Sequence, residues 1–231
     1  MDDHADQPVQ LSPSPPKAQD ESTRRGGRFV RELVETALIA ALIYVAIRSL
    51  ILPYEVQGAS MNPNLHNSDR LLVSRQSYLH VDVNGVFGFL PWVDGSGSHD
   101  VYPFGQPERG DVIVFEPPVT PASNQPYVKR IIGLPGERIS FDNGYVYVDG
   151  VKLDEMYIEG AITVCDDQAA CDLAGVPVPD GMVFVLGDNR RRSEDSRTFG
   201  FVDVESIIGQ AVFTNWPIDD FGPVSGGDYN R

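Results

Sequence analysis

Lysine is nearly missing from this chain. Of its 18 basic residues, 15 are arginine, and the only lysines are Lys17, Lys129 and Lys152. Positive charge is scarce too: 33 acidic residues leave a formal net charge of −15 over 231 residues. A surface of that sign repels phosphate backbones, which argues against nucleic acid as a partner. Cysteine is limited to Cys165 and Cys171, too few for a disulfide-built scaffold or a four-thiolate zinc site. Their short separation is compatible with a local disulfide and with two unpaired thiols. Internal repeats are absent, and 18 prolines and 22 glycines punctuate the chain too often for a helical bundle. Apolar residues at 42% still suffice for a core.

One long apolar stretch is present. Residues 1–28 have almost no large apolar side chain, several prolines and a Gly-Gly pair, and read as a disordered tail. From Thr36 to Ile47 no residue is charged, and the 20 residues Leu33–Leu52 make about 30 Å of helix, enough to cross a bilayer core. Glu35 and Arg48 lie near the ends, where long side chains reach the headgroups. The reading is a transmembrane helix over 29–52. Arg24, Arg25, Arg28 and Arg31 flank its N-terminal side, so the tail is expected in the cytoplasm and residues 53–231 outside it. A cleaved signal peptide and a buried core helix compete. The first is opposed by Gln57 at the −3 place before Ala59, the second by an apolar character all round the helix.

Beyond Pro53 the pattern is mainly β. "DVIVFEPP", "YVKRIIGL", "ERISFDNGYVYVDG" and "GMVFVLGDN" are short Val, Ile, Phe and Tyr runs bounded by turn residues. The "DNG" at 142–144 predicts a β-hairpin. An antiparallel β-sheet ectodomain is expected over 53–217, with an inserted β subdomain at 139–180 and a flexible tail at 218–231. Helical period is found only at 203–211, "DVESIIGQA". Residues 82–105 read as a long loop whose Phe87, Phe89, Leu90 and Trp92 either meet the membrane interface or cover the core.

Three segments carry chemistry. Ser60 follows small Gly58 and Ala59, which let a substrate backbone approach and leave backbone N–H groups free for an oxyanion. A lone serine needs a base. His66, His80 and His99 lie in polar, loop-like surroundings without a recognisable triad context. Lys129 sits in an apolar strand beside Arg130, and alternation sends the two to opposite faces. Arginine cannot shed its proton, so Lys129 is the inward candidate. A free lysine is neutral in about 0.04% of molecules at pH 7; lowering its pKa to about 8 costs roughly 3 kcal/mol and leaves about a tenth neutral. The third segment is "GDNRRRSEDSR", 187–197. Asp188 and Asn189 suit an Asx-turn, Asp195 and Arg197 share one face of an extended segment, and the Ser193 hydroxyl could orient an amine.

Together, "GASMNPNL", "RGDVIVF", "YVKRIIGLPGE" and "GDNRRRSEDSR" resemble, in order, the boxes of bacterial type I signal peptidases, over roughly 29–217. The resemblance implies a Ser-Lys serine endopeptidase that removes signal peptides from exported precursors after small residues at −3 and −1, with no cofactor or metal. Its partners would be those signal peptides and the lipid bilayer. Ser60 would be the nucleophile, Lys129 the general base, Ser193 the hydroxyl that holds the amine, and Asp195 with Arg197 the supporting ion pair. Asp188 and Asn189 match the turn of the last box, and some members join a pair like Cys165 and Cys171 in a disulfide. Met61, Pro63 and Tyr127 are the candidate substrate contacts. Two positions depart from the pattern: Asn64 stands where many members have Thr, and Gly58 where some place a hydroxyl that helps the oxyanion, leaving that task to the Ser60 N–H. Two other functions remain open. One is a self-cleaving Ser-Lys peptidase, as in stress-response repressors that lack an anchor. The other is a tethered, non-catalytic β-domain that binds an envelope partner.

Overall fold

The computed structural model describes residues 21–78, 81–82, 100–101, 105–118, 125–165 and 175–227. The chain divides into two units, Met1–Ile47 and Arg48–Arg231. The first holds most of helix α1, Glu21–Leu50. Its stretch Phe29–Leu50 has a mean hydropathy of 1.9 and is nowhere buried by the protein, so the core-helix reading falls. It is long and apolar enough to cross a membrane. The helix starts at Glu21, so 21–28 is helical and not the disordered tail the composition suggested. Helix extends cheaply from an existing nucleus, and Gly26 and Gly27 cost only about 1 kcal/mol each. At the other end Ile51 and Leu52 leave the helix for a strand.

The strands are β1 (Ile51–Glu55), β2 (Arg70–Ser74), β3 (Val81–Asp82), β4 (Asp100–Val101), β5 (Val112–Phe115), β6 (Tyr127–Gly133) and β7 (Ile139–Asp142). There follow β8 (Tyr145–Val148), β9 (Val151–Lys152), β10 (Met182–Leu186), β11 (Val202–Asp203), β12 (Ile207–Trp216) and β13 (Gly222–Pro223). The main sheet runs β1-β2-β12-β5-β6-β10-β11, with β13 added to β12, and its pairs are antiparallel. The predicted hairpin is β7-β8, with β9 completing a separate three-stranded sheet. Within the expected loop 82–105, Asp82 pairs with Asp100 in the short β3-β4 ladder; Phe87, Phe89, Leu90 and Trp92 lie outside the described residues.

Both faces of β5 and β6 are covered. Val112, Val114 and Val128 join one apolar cluster with Met61, Leu71 and Val73, while Ile113, Phe115 and Ile131 join another with Val183 and Val185. A third cluster, including Ile132, Ile139, Val146 and Phe184, cements the small sheet to the large one. A strand with two covered faces cannot send one of two adjacent residues to water. Lys129 and Arg130 are therefore both buried, at 4% and 0% exposure, where alternation alone had suggested a single inward side chain.

Two further expectations are corrected. The 203–211 segment is not helical: one 3-10 turn, Val204–Ser206, leads into β12, whose ten residues bridge β2 and β5. Nor is 218–227 a loose tail. Gly222 and Pro223 pair with Thr214 and Phe213, Phe221 packs edge-on against Phe213 at 4.8 Å, and the Ser225 carbonyl accepts a hydrogen bond from Arg130 Nη1 at 2.7 Å.

Candidate active site

Ser60 stands in the turn that follows β1, and β6 brings Lys129 to it. The Lys129 amine donates to Ser60 Oγ at 2.9 Å and to the Val128 carbonyl at 3.0 Å. It lies 5.1 Å from the centre of the Tyr127 ring. Burial lowers the lysine's pKa to about 8, against the opposing pull of the Asp195, Glu194 and Asp188 carboxylates. A neutral amine at hydrogen-bond distance from a serine hydroxyl can take its proton as Oγ attacks.

The turn is held from below by the last box. Asn189 donates twice, from its backbone N to the Ser60 carbonyl at 3.0 Å and from Nδ2 to the Ala59 carbonyl at 2.9 Å. Gly187 makes that approach feasible: a Cβ there would fall 2.5 Å from the Ser60 oxygen and 2.1 Å from Ser193 Oγ. Gly58 has φ +87, a conformation that favours glycine, and its N–H is engaged by Asn67 Oδ1 at 2.8 Å.

Three buried arginines brace this arrangement. Arg130 meets both Asp188 oxygens at 2.9 and 2.8 Å, and its Nη1 reaches the Gly110 carbonyl. Asn64 Nδ2 adds a bond to Asp188 Oδ2 at 2.8 Å, tying the serine turn to the last box. Arg197 meets both oxygens of Asp195, and Asp195 Oδ2 also accepts the Gly187 N–H. Asp195 and Arg197 do not share an extended segment; Asp195 caps the one-turn helix Ser196–Phe199, and the pair forms across that cap. Arg190 is clamped by Glu155, Thr163 and Tyr157. Arg197 Nη1 reaches the Val164 carbonyl next to Cys165, which is disulfide-bonded; Cys171 lies outside the described residues.

A cleft of about 220 Å³ opens at the pair, lined by Tyr54, Gln57, Gly58, Ala59, Ser60, Pro126, Tyr127, Val128, Lys129, Arg192 and Glu194. Of the three residues expected at the substrate, Tyr127 lines it. Met61 is fully buried in the core, where its side chain is worth about 1.5–3 kcal/mol of burial, and Pro63 is exposed outside the lining. Ser193 Oγ is buried without a hydrogen-bond partner; the lysine amine bonds to Ser60 and Val128 instead. His66 is turned toward Asp69 at 3.9 Å, while His80 and His99 lie outside the described residues. A larger cavity of about 470 Å³ beside Tyr145, Lys152 and Met156 has no serine or cysteine among the described residues that line it. Among the described residues, the one group with metal-ligand chemistry is His66, Asp69 and Asp220, none of which lines the cleft. Sequence reasoning gave no role to Gly187, Glu194, or the Arg190–Glu155 pair. Gly187 had a signal in its turn position, whereas Glu155 had none, because its partner is 35 residues away.

Residues 30–216 match the family model described as signal peptidase, peptidase S26. The chain is 33% identical over 201 residues to the probable signal peptidase I-1 of Synechocystis, covering 84% of this chain and 87% of that protein. It is 31% identical over 201 residues to signal peptidase IB of Staphylococcus aureus, covering 82% and 90%. A crystal structure of a signal peptidase I from Enterococcus faecalis aligns at 39% identity and a TM-score of 0.39, over 46% of this chain and 96% of that one. The length matched by the family model, together with the Synechocystis and Staphylococcus aureus relatives, makes this chain a member of the signal peptidase family, peptidase S26.

Proposed function

We propose that this protein is a membrane-bound serine endopeptidase that removes N-terminal signal peptides from exported precursors. The observation that carries the reading is the 2.9 Å contact between Ser60 Oγ and a lysine amine whose burial lowers its pKa to about 8. Neutral Lys129 takes the Ser60 proton as Oγ attacks the carbonyl carbon of the residue before the cleavage point. The tetrahedral oxyanion rests on the Ser60 N–H. Its collapse breaks the C–N bond, and the lysine ammonium returns the proton to the departing amine. The same lysine then activates the water that hydrolyses the acyl-enzyme.

β1 ends the sheet order and leads directly into the serine turn. An extended signal peptide would add along that edge, with alternate side chains entering the cleft. A 220 Å³ cleft suits small side chains at −1 and −3. Asp188, Asn189, Asp195 and Arg197 are supporting residues that hold the serine turn, and Ser193 is held close to that turn by its packing on Gly187. Phe29–Leu50 anchors the protein in the cell membrane. The arginines at 24, 25, 28 and 31 keep the N-terminus in the cytoplasm and leave the catalytic unit outside it.

The test is incubation of the full chain, in detergent, with an exported precursor, followed by N-terminal sequencing of the product. A new N-terminus directly after a small residue is expected, and none with Ser60→Ala. The same product from the Ser60→Ala protein would overturn the reading.

A further inference from the structure

Two charged side chains line the cleft without a part in the mechanism above, Arg192 and Glu194. Glu194 has a specific contact there. The Tyr127 phenol donates to Glu194 Oε2 at 3.1 Å, and the ring of that tyrosine stands 5.1 Å from the Lys129 amine. Tyr127 is also wedged against Phe115 and Phe199, with ring centres 6.4 and 6.3 Å away. The carboxylate thus ties down the free end of a ring whose other sides are packed.

The charges around the amine are not equivalent. Asp188 gives both oxygens to Arg130, and Asp195 gives both to Arg197. Each pair is buried and close to neutral as a unit. Glu194 is exposed, and among the described residues its partner is the uncharged Tyr127 phenol. The other groups near the amine are the Ser60 hydroxyl and the Val128 carbonyl, while the Tyr54 phenol and the Arg192 guanidinium line the same cleft. Of these three carboxylates, Glu194 is therefore the one without a bonded guanidinium among the described residues.

We propose that Glu194 is a positioning residue of the dyad, which fixes the Tyr127 ring beside Lys129 and supplies negative charge that raises the pH at which the amine becomes a base. The inference rests on Lys129 being the general base. A carboxylate stabilises the ammonium form, so Glu194 works against burial. It leaves fewer molecules neutral at low pH, and makes the neutral amine a stronger base in those that are.

The experiment compares pH profiles of kcat/KM for the wild-type full chain and the Glu194→Gln, Tyr127→Phe and Lys129→Ala proteins on one signal-peptide substrate. Glutamine keeps an oxygen for the phenol and removes the charge. Its acid limb is expected about half a pH unit lower, with kcat/KM near pH 6.5 raised about two- to three-fold. Because the carboxylate is exposed, that difference should shrink in about 0.5 M salt. Tyr127→Phe keeps the ring and loses the bond, and should raise KM about two- to five-fold while the acid limb stays in place. An unmoved acid limb in Glu194→Gln at low salt, with Lys129→Ala inactive, overturns the charge role and leaves the dyad standing. Unchanged kinetics in Tyr127→Phe overturn the ring-fixing role. An active Lys129→Ala overturns the dyad itself.

Discussion

On β6, Lys129 and Arg130 point to opposite faces, and both are withdrawn from water. On the Arg130 face the fold supplies a carboxylate with both oxygens, two backbone carbonyls and a Tyr157 ring 4.4 Å away. On the Lys129 face it supplies a serine hydroxyl and one carbonyl. Depth is almost the same; partners are not. A guanidinium holds its proton under any ordinary condition, so its burial has to be matched by an anion. An ammonium offered no bonded carboxylate can relieve the same strain by releasing its proton. Adjacent residues of one strand thus become a structural rivet and, on the function proposed above, a base.

The largest test of that contrast is catalytic. Lys129→Met should keep the fold and lower kcat/KM by about 10³–10⁴-fold or more, measured as precursor cleavage in detergent. A loss under tenfold would mean that the released proton has another acceptor.

Next in size is the rivet. Arg130→Met leaves Asp188 buried opposite an apolar side chain, and should destabilise the protein by about 3–5 kcal/mol, read from thermal or denaturant unfolding. Adding Asp188→Asn should recover part of the loss, since the stranded charge is then gone.

Lys129→Met should act on stability with the opposite sign. The folded pKa is about 8 and the ordinary value 10.5, so between them the unfolded chain binds more protons. The stability of the wild type therefore rises with pH across that window, and the burden of the buried amine is fully present below about pH 8. That burden is roughly 3 kcal/mol. After the lost hydrogen bonds are set against it, Lys129→Met should be about 1–3 kcal/mol more stable than wild type at pH 7. The advantage should vanish toward pH 10.5. A Met variant less stable than wild type at neutral pH would break the comparison.

The smallest effect belongs to Asn64→Ala, which removes one of three side-chain donors to Asp188. About 1 kcal/mol of stability should go, while the pH profile of cleavage stays put.

How much of this could be read in advance depended on the distance over which each feature is decided. The β7-β8 hairpin was legible because "DNG" determines its own turn. Ser60 stood out through its small neighbours, and Lys129 through the rarity of lysine. The burial of Arg130 is not legible locally, because its partner, Asp188, is 58 residues further on. Met61 adjoins the serine in sequence but not in the cleft, because one residue later the chain has already turned into the core. The 203–211 segment looked helical by its apolar spacing, but pairing with β2 and β5 decides it. Nothing local marks Glu194: an exposed glutamate in a charged loop resembles any other until Tyr127 is brought to it.

The bond from Arg130 to Ser225 has a consequence for the order of manufacture. The arginine is made 95 residues before the carbonyl it needs, and the strand that delivers that carbonyl pairs with β12. While the ribosome still holds residues 222–225, the guanidinium lacks that acceptor and β12 has only β2 and β5 beside it. The catalytic unit can therefore close fully only once β13 and Ser225 have cleared the exit tunnel.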